Sequence, residues 1–219
     1  MSQKFEKIYA LLANREHGQQ KIRKQNPVET LVLTILSQNT NDVNRDRAYI
    51  SLRKTFPTWD SIARAKSKQL ENSIRIAGLA KTKAKSIQDA LRRIKKERGR
   101  YSLEHLRFLS LDASRSYLLS FKGVGLKTAA VVLCFAFQKP AFPVDTHIFR
   151  VSKRLGLIPE GTTIENAHFL LEKQIPTEKV CPAHLLLIRH GRETCHARKP
   201  ECPGCVLQKI CAYKEKTRA

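Results

Sequence analysis

Apolar residues recur at helical spacing along almost the whole chain, and no two segments alternate as a strand pair would. Phe5, Ile8, Leu11 and Leu12 form one face of an opening helix. Asn26-Pro27-Val28-Glu29 is a start signal, with Asn as the cap, Pro at the first helical position and an acid three residues after the cap. The apolar run Leu31 to Leu36 follows. Phe56-Pro57 interrupts, and a helix restarts near Thr58 to Ser61. Ser67 is expected to cap the segment carrying Leu70, Ile74 and Ala77, which Gly78 stops. Ala84, Ile87, Leu91 and Ile94 stripe a helix from Lys81 to Arg98, ended by Gly99. Asp112 is expected to cap a helix through Ser120. The run Ala129 to Phe137 has the length of a buried core helix. Asp145 caps the next, with Thr146 and His147 in its first turn. Thr162 and Glu165 read as a capping box, and Cys181-Pro182 opens a helix that Gly191 ends. The pattern predicts an all-α fold.

A helical chain of 219 residues suits one domain or two small lobes. Lys and Arg number 41 against 19 Asp and Glu, a net charge of +22. A surplus that large implies a polyanionic partner, nucleic acid before any other. Much of it falls within residues 81–127, with 13 basic and 4 acidic residues. A charge run is ordinarily a solvated helix face, but this one lies just upstream of a phosphate-binding candidate. No stretch approaches the roughly 20 apolar residues of a membrane helix. The first residues carry an early acid and no apolar signal core, so an intracellular protein is expected. Six cysteines in such a compartment read as metal ligands or free thiols rather than disulfides.

Four of them, Cys195, Cys202, Cys205 and Cys211, lie in one short segment with one Cys-x-x-Cys knuckle. Thiolates select zinc or an iron–sulfur cluster. Zinc sites usually show two short knuckles, so the asymmetric spacing favours the cluster. Cys134, inside an apolar helix, and Cys181, beside Pro182, read as small buried residues.

Lys122-Gly123-Val124-Gly125-Leu126-Lys127-Thr128 stands between two helices. Glycines flanking one apolar residue let a hairpin expose its amides, and the following helix offers its positive end. Together these cradle a phosphate without reading sequence. A plain tight helix–helix turn is the alternative.

The hairpin, then Val144-Asp145-Thr146-His147-Ile148-Phe149-Arg150, then Cys-x6-Cys-x2-Cys-x5-Cys, in that order and spacing, resemble the endonuclease III family of helix-hairpin-helix DNA glycosylases. The likeness takes in His190-Gly191-Arg192 and Ala197-Arg198-Lys199-Pro200. It implies two helical lobes with DNA and the active site between them. Residues 25–139 would form a six-helix barrel with the helix-hairpin-helix. Residues 1–24 and 140–219 would form the lobe holding a 4Fe–4S cluster on Cys195, Cys202, Cys205 and Cys211. Lys127 corresponds to the family's catalytic lysine and Asp145 to its catalytic aspartate. Lys122, Gly123, Val124, Gly125 and Thr128 would meet DNA at the hairpin, and Arg198 and Lys199 would meet phosphate from the cluster loop. Leu79 resembles a residue that wedges into the duplex when a nucleotide is flipped out.

Two departures stand out. The family usually has Pro before Gly-Val-Gly; Lys122 here loses rigidity and adds a cation. The family often uses Gln to fill the gap left by the flipped base. Alignment puts Asn39 there, beside Gln38, and both remain candidates.

A lysine amine so placed can attack C1′, expel the base and leave a Schiff base that promotes strand cleavage on the 3′ side. An ordinary lysine is neutral at pH 7 only about once in 2,500 molecules, so such a site must favour the free amine. Asp145 reads as proton acceptor and stabiliser of positive charge on the sugar. The expectation is a monomeric bifunctional glycosylase and lyase for oxidised pyrimidines in damaged duplex DNA, with no membrane partner. The rivals are a glycosylase for mismatched or deaminated bases, a DNA-binding module without chemistry and a zinc-held DNA-binding domain.

Overall fold

The computed structural model describes residues 3–15 and 24–213. Among them every regular element is helical, and they fall into two compact units. One comprises residues 24–137, the other the described residues 3–15 and 138–213.

The first unit holds seven α-helices: α2 (Pro27–Leu36), α3 (Asp42–Thr55), α4 (Trp59–Arg64), α5 (Ser67–Ser73), α6 (Ala80–Arg98), α7 (Leu111–Leu119) and α8 (Leu126–Phe137). Extended backbone at Ala65 and Lys66 divides α4 from α5, and a 3-10 turn over Arg75–Ala77 precedes α6. Its centre is the packing of α2 on α8. Asn26 accepts hydrogen bonds from the Val28 and Glu29 amides, as the start signal requires. Thr30 and Thr34, buried on α2, donate to the carbonyls four residues back, so their hydroxyls cost the core little. α8 is buried nearly all round, as its continuous apolar run demands.

The second unit contains α1 (Gln3–Arg15), α9 (Thr146–Leu155), α10 (Ile164–Gln174) and α11 (Val180–Glu193). Helix α1 packs on α11 through Phe5, Ile8 and Leu12, and α11 packs on α9. Gly191 lies inside α11 and does not end it. A Cβ there would stand 3.0 Å from the His147 Cβ and 3.1 Å from a Val151 methyl, so its missing side chain lets α9 and α11 approach closely.

Three expected caps move by one or two residues. Ser110 rather than Asp112 caps α7, accepting from the Ala113 amide; Asp112 lies within the first turn and pairs with Arg115. Thr163 rather than Thr162 caps α10, because Thr162 closes a turn onto the Pro159 carbonyl. Lys66 precedes α5 without a side-chain cap, and Ser67 is already helical. In each case backbone conformation, which the residue type only biases, selects the cap. Cys134 and Cys181 are both buried, as their apolar surroundings predict.

Candidate active site and nucleic-acid interface

In the first unit, α7 and α8 are joined by a hairpin whose turn is closed by the Val124 amide donating to the Phe121 carbonyl, 3.1 Å. Gly123 supplies the positive φ, +82°, that this turn needs. It also lets the hairpin press on α6: a Cβ would lie 2.4 Å from the Ser86 hydroxyl. Phe121 and Val124 bury the underside, while Lys122, Gly123 and Gly125 face solvent. Arg93 stacks on Phe121 at 4.7 Å and donates to the Ser120 carbonyl. The first turn of α8 carries no acid, so its positive end is left for an external anion. Lys127, half-buried, is the second residue of α8; Thr128 is buried beneath it.

Two further loops of this unit present expected DNA contacts. Gln38 and Asn39, adjacent in sequence, do different things. The Gln38 amide nitrogen donates to the Gly123 carbonyl at 2.9 Å and approaches the Thr128 hydroxyl at 3.4 Å. Asn39 is exposed, in the left-handed region at φ 50°. Leu79 is also left-handed, at φ 49°, and 57% exposed, immediately before α6. A large apolar side chain is thus held out in solvent on left-handed backbone, a combination disfavoured on both counts.

Sequence reasoning missed Lys83. It reads as one more cation of the α6 charge run, yet only 1% of it is exposed. Its ammonium donates to the Leu36 carbonyl at 2.8 Å and the Ala77 carbonyl at 2.7 Å. Leu36 ends α2 just before Gln38 and Asn39, and Ala77 ends the turn just before Leu79. One side chain thus fixes the roots of both loops. Burial lowers its pKa from the ordinary lysine value. A signal was present: Lys83 falls one residue before Ala84 at the start of the buried stripe.

In the second unit, Asp145 caps α9, its carboxylate accepting from the Ile148 amide at 2.8 Å. His147 contacts Arg150 at 3.2 Å. Cys195, Cys202, Cys205 and Cys211 line one small cavity, together with Arg154, Leu155, His190 and Leu207. Two arginines of α9 hold this segment. Arg150 donates to the carbonyls of Gly191 and Cys195, and Arg154 to the carbonyls of His196 and Ala197 and to the Cys195 sulfur at 3.3 Å. Burial pushes the Cys205 thiol up, the Leu207 amide pulls it back, and the other three cysteines raise it further. Burial also pushes His190 down, to about 4, leaving it neutral. Arg198 and Lys199 project from the loop between the first two cysteines, Lys199 at φ 51°.

Cysteine thiolates are the donor type that an iron–sulfur cluster takes. Four cysteines line one cavity, with the Arg154 guanidinium beside them to offset thiolate charge. Yet among the described residues no three His, Cys, Asp or Glu converge tightly enough for a single metal ion.

A glycine hairpin feeding a lysine into a helix N-terminus, two loops holding out Asn39 and Leu79, and a cysteine-lined cavity in an all-helical chain define a class of DNA repair protein. Residues 32–177 match the HhH-GPD superfamily of base excision DNA repair proteins, and the chain belongs to it. Within that class it is similar to endonuclease III. It is 33% identical over 215 residues to endonuclease III of Escherichia coli strain K12, covering 98% of this chain and 97% of that one. A provisionally named DNA glycosylase of Arabidopsis thaliana is 42% identical over 176 residues, which is 80% of this chain but 60% of that longer protein. A solved endonuclease III–DNA complex, trapped as a covalent intermediate, superposes with a TM-score of 0.81 at 30% identity, over 100% of this chain and 99% of that one.

Proposed function

We propose that this enzyme, a base-excision-repair DNA glycosylase with abasic-site lyase activity, takes oxidised pyrimidines from duplex DNA with Lys127 as nucleophile. The observation that carries the reading is the place of Lys127: half-buried in the first turn of α8, directly after the exposed hairpin glycines. A phosphate held by the hairpin brings a nucleotide's sugar within reach of a side chain so placed. The base is inaccessible inside the duplex, so the nucleotide is flipped out. Leu79 enters the stack and Asn39 occupies the space opposite, Gln38 being engaged with the hairpin.

The Lys127 amine bonds to C1′ as the glycosidic bond breaks and its electron pair leaves with the base. The amine sheds its proton, and Asp145 is assigned the roles of proton acceptor and stabiliser of positive charge on the sugar. Opening of the sugar gives a protonated Schiff base. Loss of a C2′ proton then expels the 3′ phosphate by β-elimination, leaving a nicked strand. The covalent endonuclease III–DNA intermediate among the similar structures supports an enzyme–DNA bond in this chemistry. Cys195, Cys202, Cys205 and Cys211 would hold a 4Fe–4S cluster, which would supply a fixed point for the loop from which Arg198 and Lys199 reach phosphate. The enzyme acts as a monomer.

The test is a panel of duplexes, each with one defined lesion, scored separately for base release and nicking, with borohydride added to trap the Schiff base. Oxidised pyrimidines should be released, nicked and crosslinked. Release confined to mismatched or deaminated bases would reassign the substrate, and release without crosslinking would remove Lys127 as nucleophile.

A further inference from the structure

Gln38 ties the hairpin to the loop that follows α2. The Gly123–Val124 peptide is held at both poles: its N–H donates to the Phe121 carbonyl, and its carbonyl accepts from the Gln38 amide at 2.9 Å. The same amide reaches Thr128, the neighbour of Lys127 on α8, at 3.4 Å. Glycines flank this region at 123 and 125, where an unanchored peptide plane would rotate most readily. The turn has positive φ at its third residue, the arrangement in which proline at the second position presets the backbone. Lys122 stands at that second position and presets nothing.

We propose that Gln38 is a positioning residue for phosphate capture: its amide supplies, through a contact 85 residues away in sequence, the hairpin rigidity that the turn's own residues do not. The proposal rests on the hairpin being the phosphate cradle. Preorganisation is where the benefit arises, since a peptide already fixed need not be ordered when DNA arrives.

The experiment uses the full-length protein, wild type, Gln38→Ala, Lys122→Pro and the double variant. Each binds a duplex carrying one stable tetrahydrofuran abasic-site analogue, with Kd measured across a salt series. Gln38→Ala should raise Kd about fivefold, one hydrogen bond's worth, without changing the slope of log K against log salt, because no phosphate contact is lost. Lys122→Pro should reduce that slope by about one, through loss of a cation. In the Lys122→Pro background, Gln38→Ala should cost less than about twofold, since the turn is then preset; a merely structural loss would be the same in both backgrounds. An unchanged Kd for Gln38→Ala, or an equal loss in both backgrounds, overturns the proposal. If Lys122→Pro shifts the salt slope while Gln38→Ala does nothing, the clamp alone fails. If neither variant alters affinity or slope, the cradle reading fails and the proposal goes with it.

Discussion

Lys83→Met removes both hydrogen bonds of a buried ammonium while keeping the length and most of the volume of the side chain. The carbonyls of Leu36 and Ala77, accepting at 2.8 and 2.7 Å, lose their charged donor in a place water does not reach. Hydrogen bonds to charged groups contribute about 1.5–3 kcal/mol each. Relief of the ammonium's desolvation returns part of that, so the net loss is about 3 kcal/mol. For a chain of this length that corresponds to a Tm lower by roughly 6–12 °C. Burial lowers the folded pKa of Lys83, so between that pKa and the ordinary 10.5 the unfolded chain holds a proton the folded chain has released. Wild-type stability therefore rises with pH through that window relative to the Met variant, and the difference is flat below it. Thermal melts of both proteins across neutral to alkaline pH read the two effects together. Because the same side chain roots the Asn39 and Leu79 loops, single-turnover excision should fall more on duplex than on single-stranded substrate, where no stack must be opened. A Met variant melting within about 1 °C of wild type would show that the two carbonyls find other partners and would refute the argument.

Lys127→Gln should abolish borohydride crosslinking and nicking while DNA affinity in a gel-shift assay stays near wild type, since the hairpin amides are untouched. Asp145→Asn keeps the α9 cap but loses the carboxylate; base removal should slow by about 10²–10⁴-fold, with cleavage at preformed abasic sites less affected. Leu79→Gly relieves left-handed strain but adds chain entropy to the unfolded state, so stability by chemical denaturation should stay within about 1 kcal/mol while excision from paired duplex drops. Gly191→Ala forces a Cβ to within 3.0 Å of His147 and should destabilise the protein by about 1–3 kcal/mol in a thermal melt. Purified protein should absorb as a brown iron–sulfur protein with about four irons; a colourless protein with one zinc would remove the cluster.

The all-helical class, the cap at Asn26, the turn at Gly123 and the buried run of α8 were legible because each is a local preference, set by residues within one turn of one another. Candidate chemistry was legible for the same reason at the hairpin and in the cysteine spacing, where a short stretch must serve one purpose. Contacts between segments distant in sequence were not. Gln38 and Asn39 are neighbours with similar side chains, and nothing in the sequence separates them. The fold does so by bringing the Gly123 carbonyl to one and leaving the other in solvent. Lys83 carries the same side chain as its exposed neighbours Lys81 and Lys85, and the register of α6 alone turns it inward to two carbonyls that end other elements. Gly191 resembles a helix stop until α9 is seen against it. Residue type sets what a side chain can bond to and the helical period sets which way it points. Which partner waits there is decided by the packing of segments far apart in the chain, through distances that sequence order does not record.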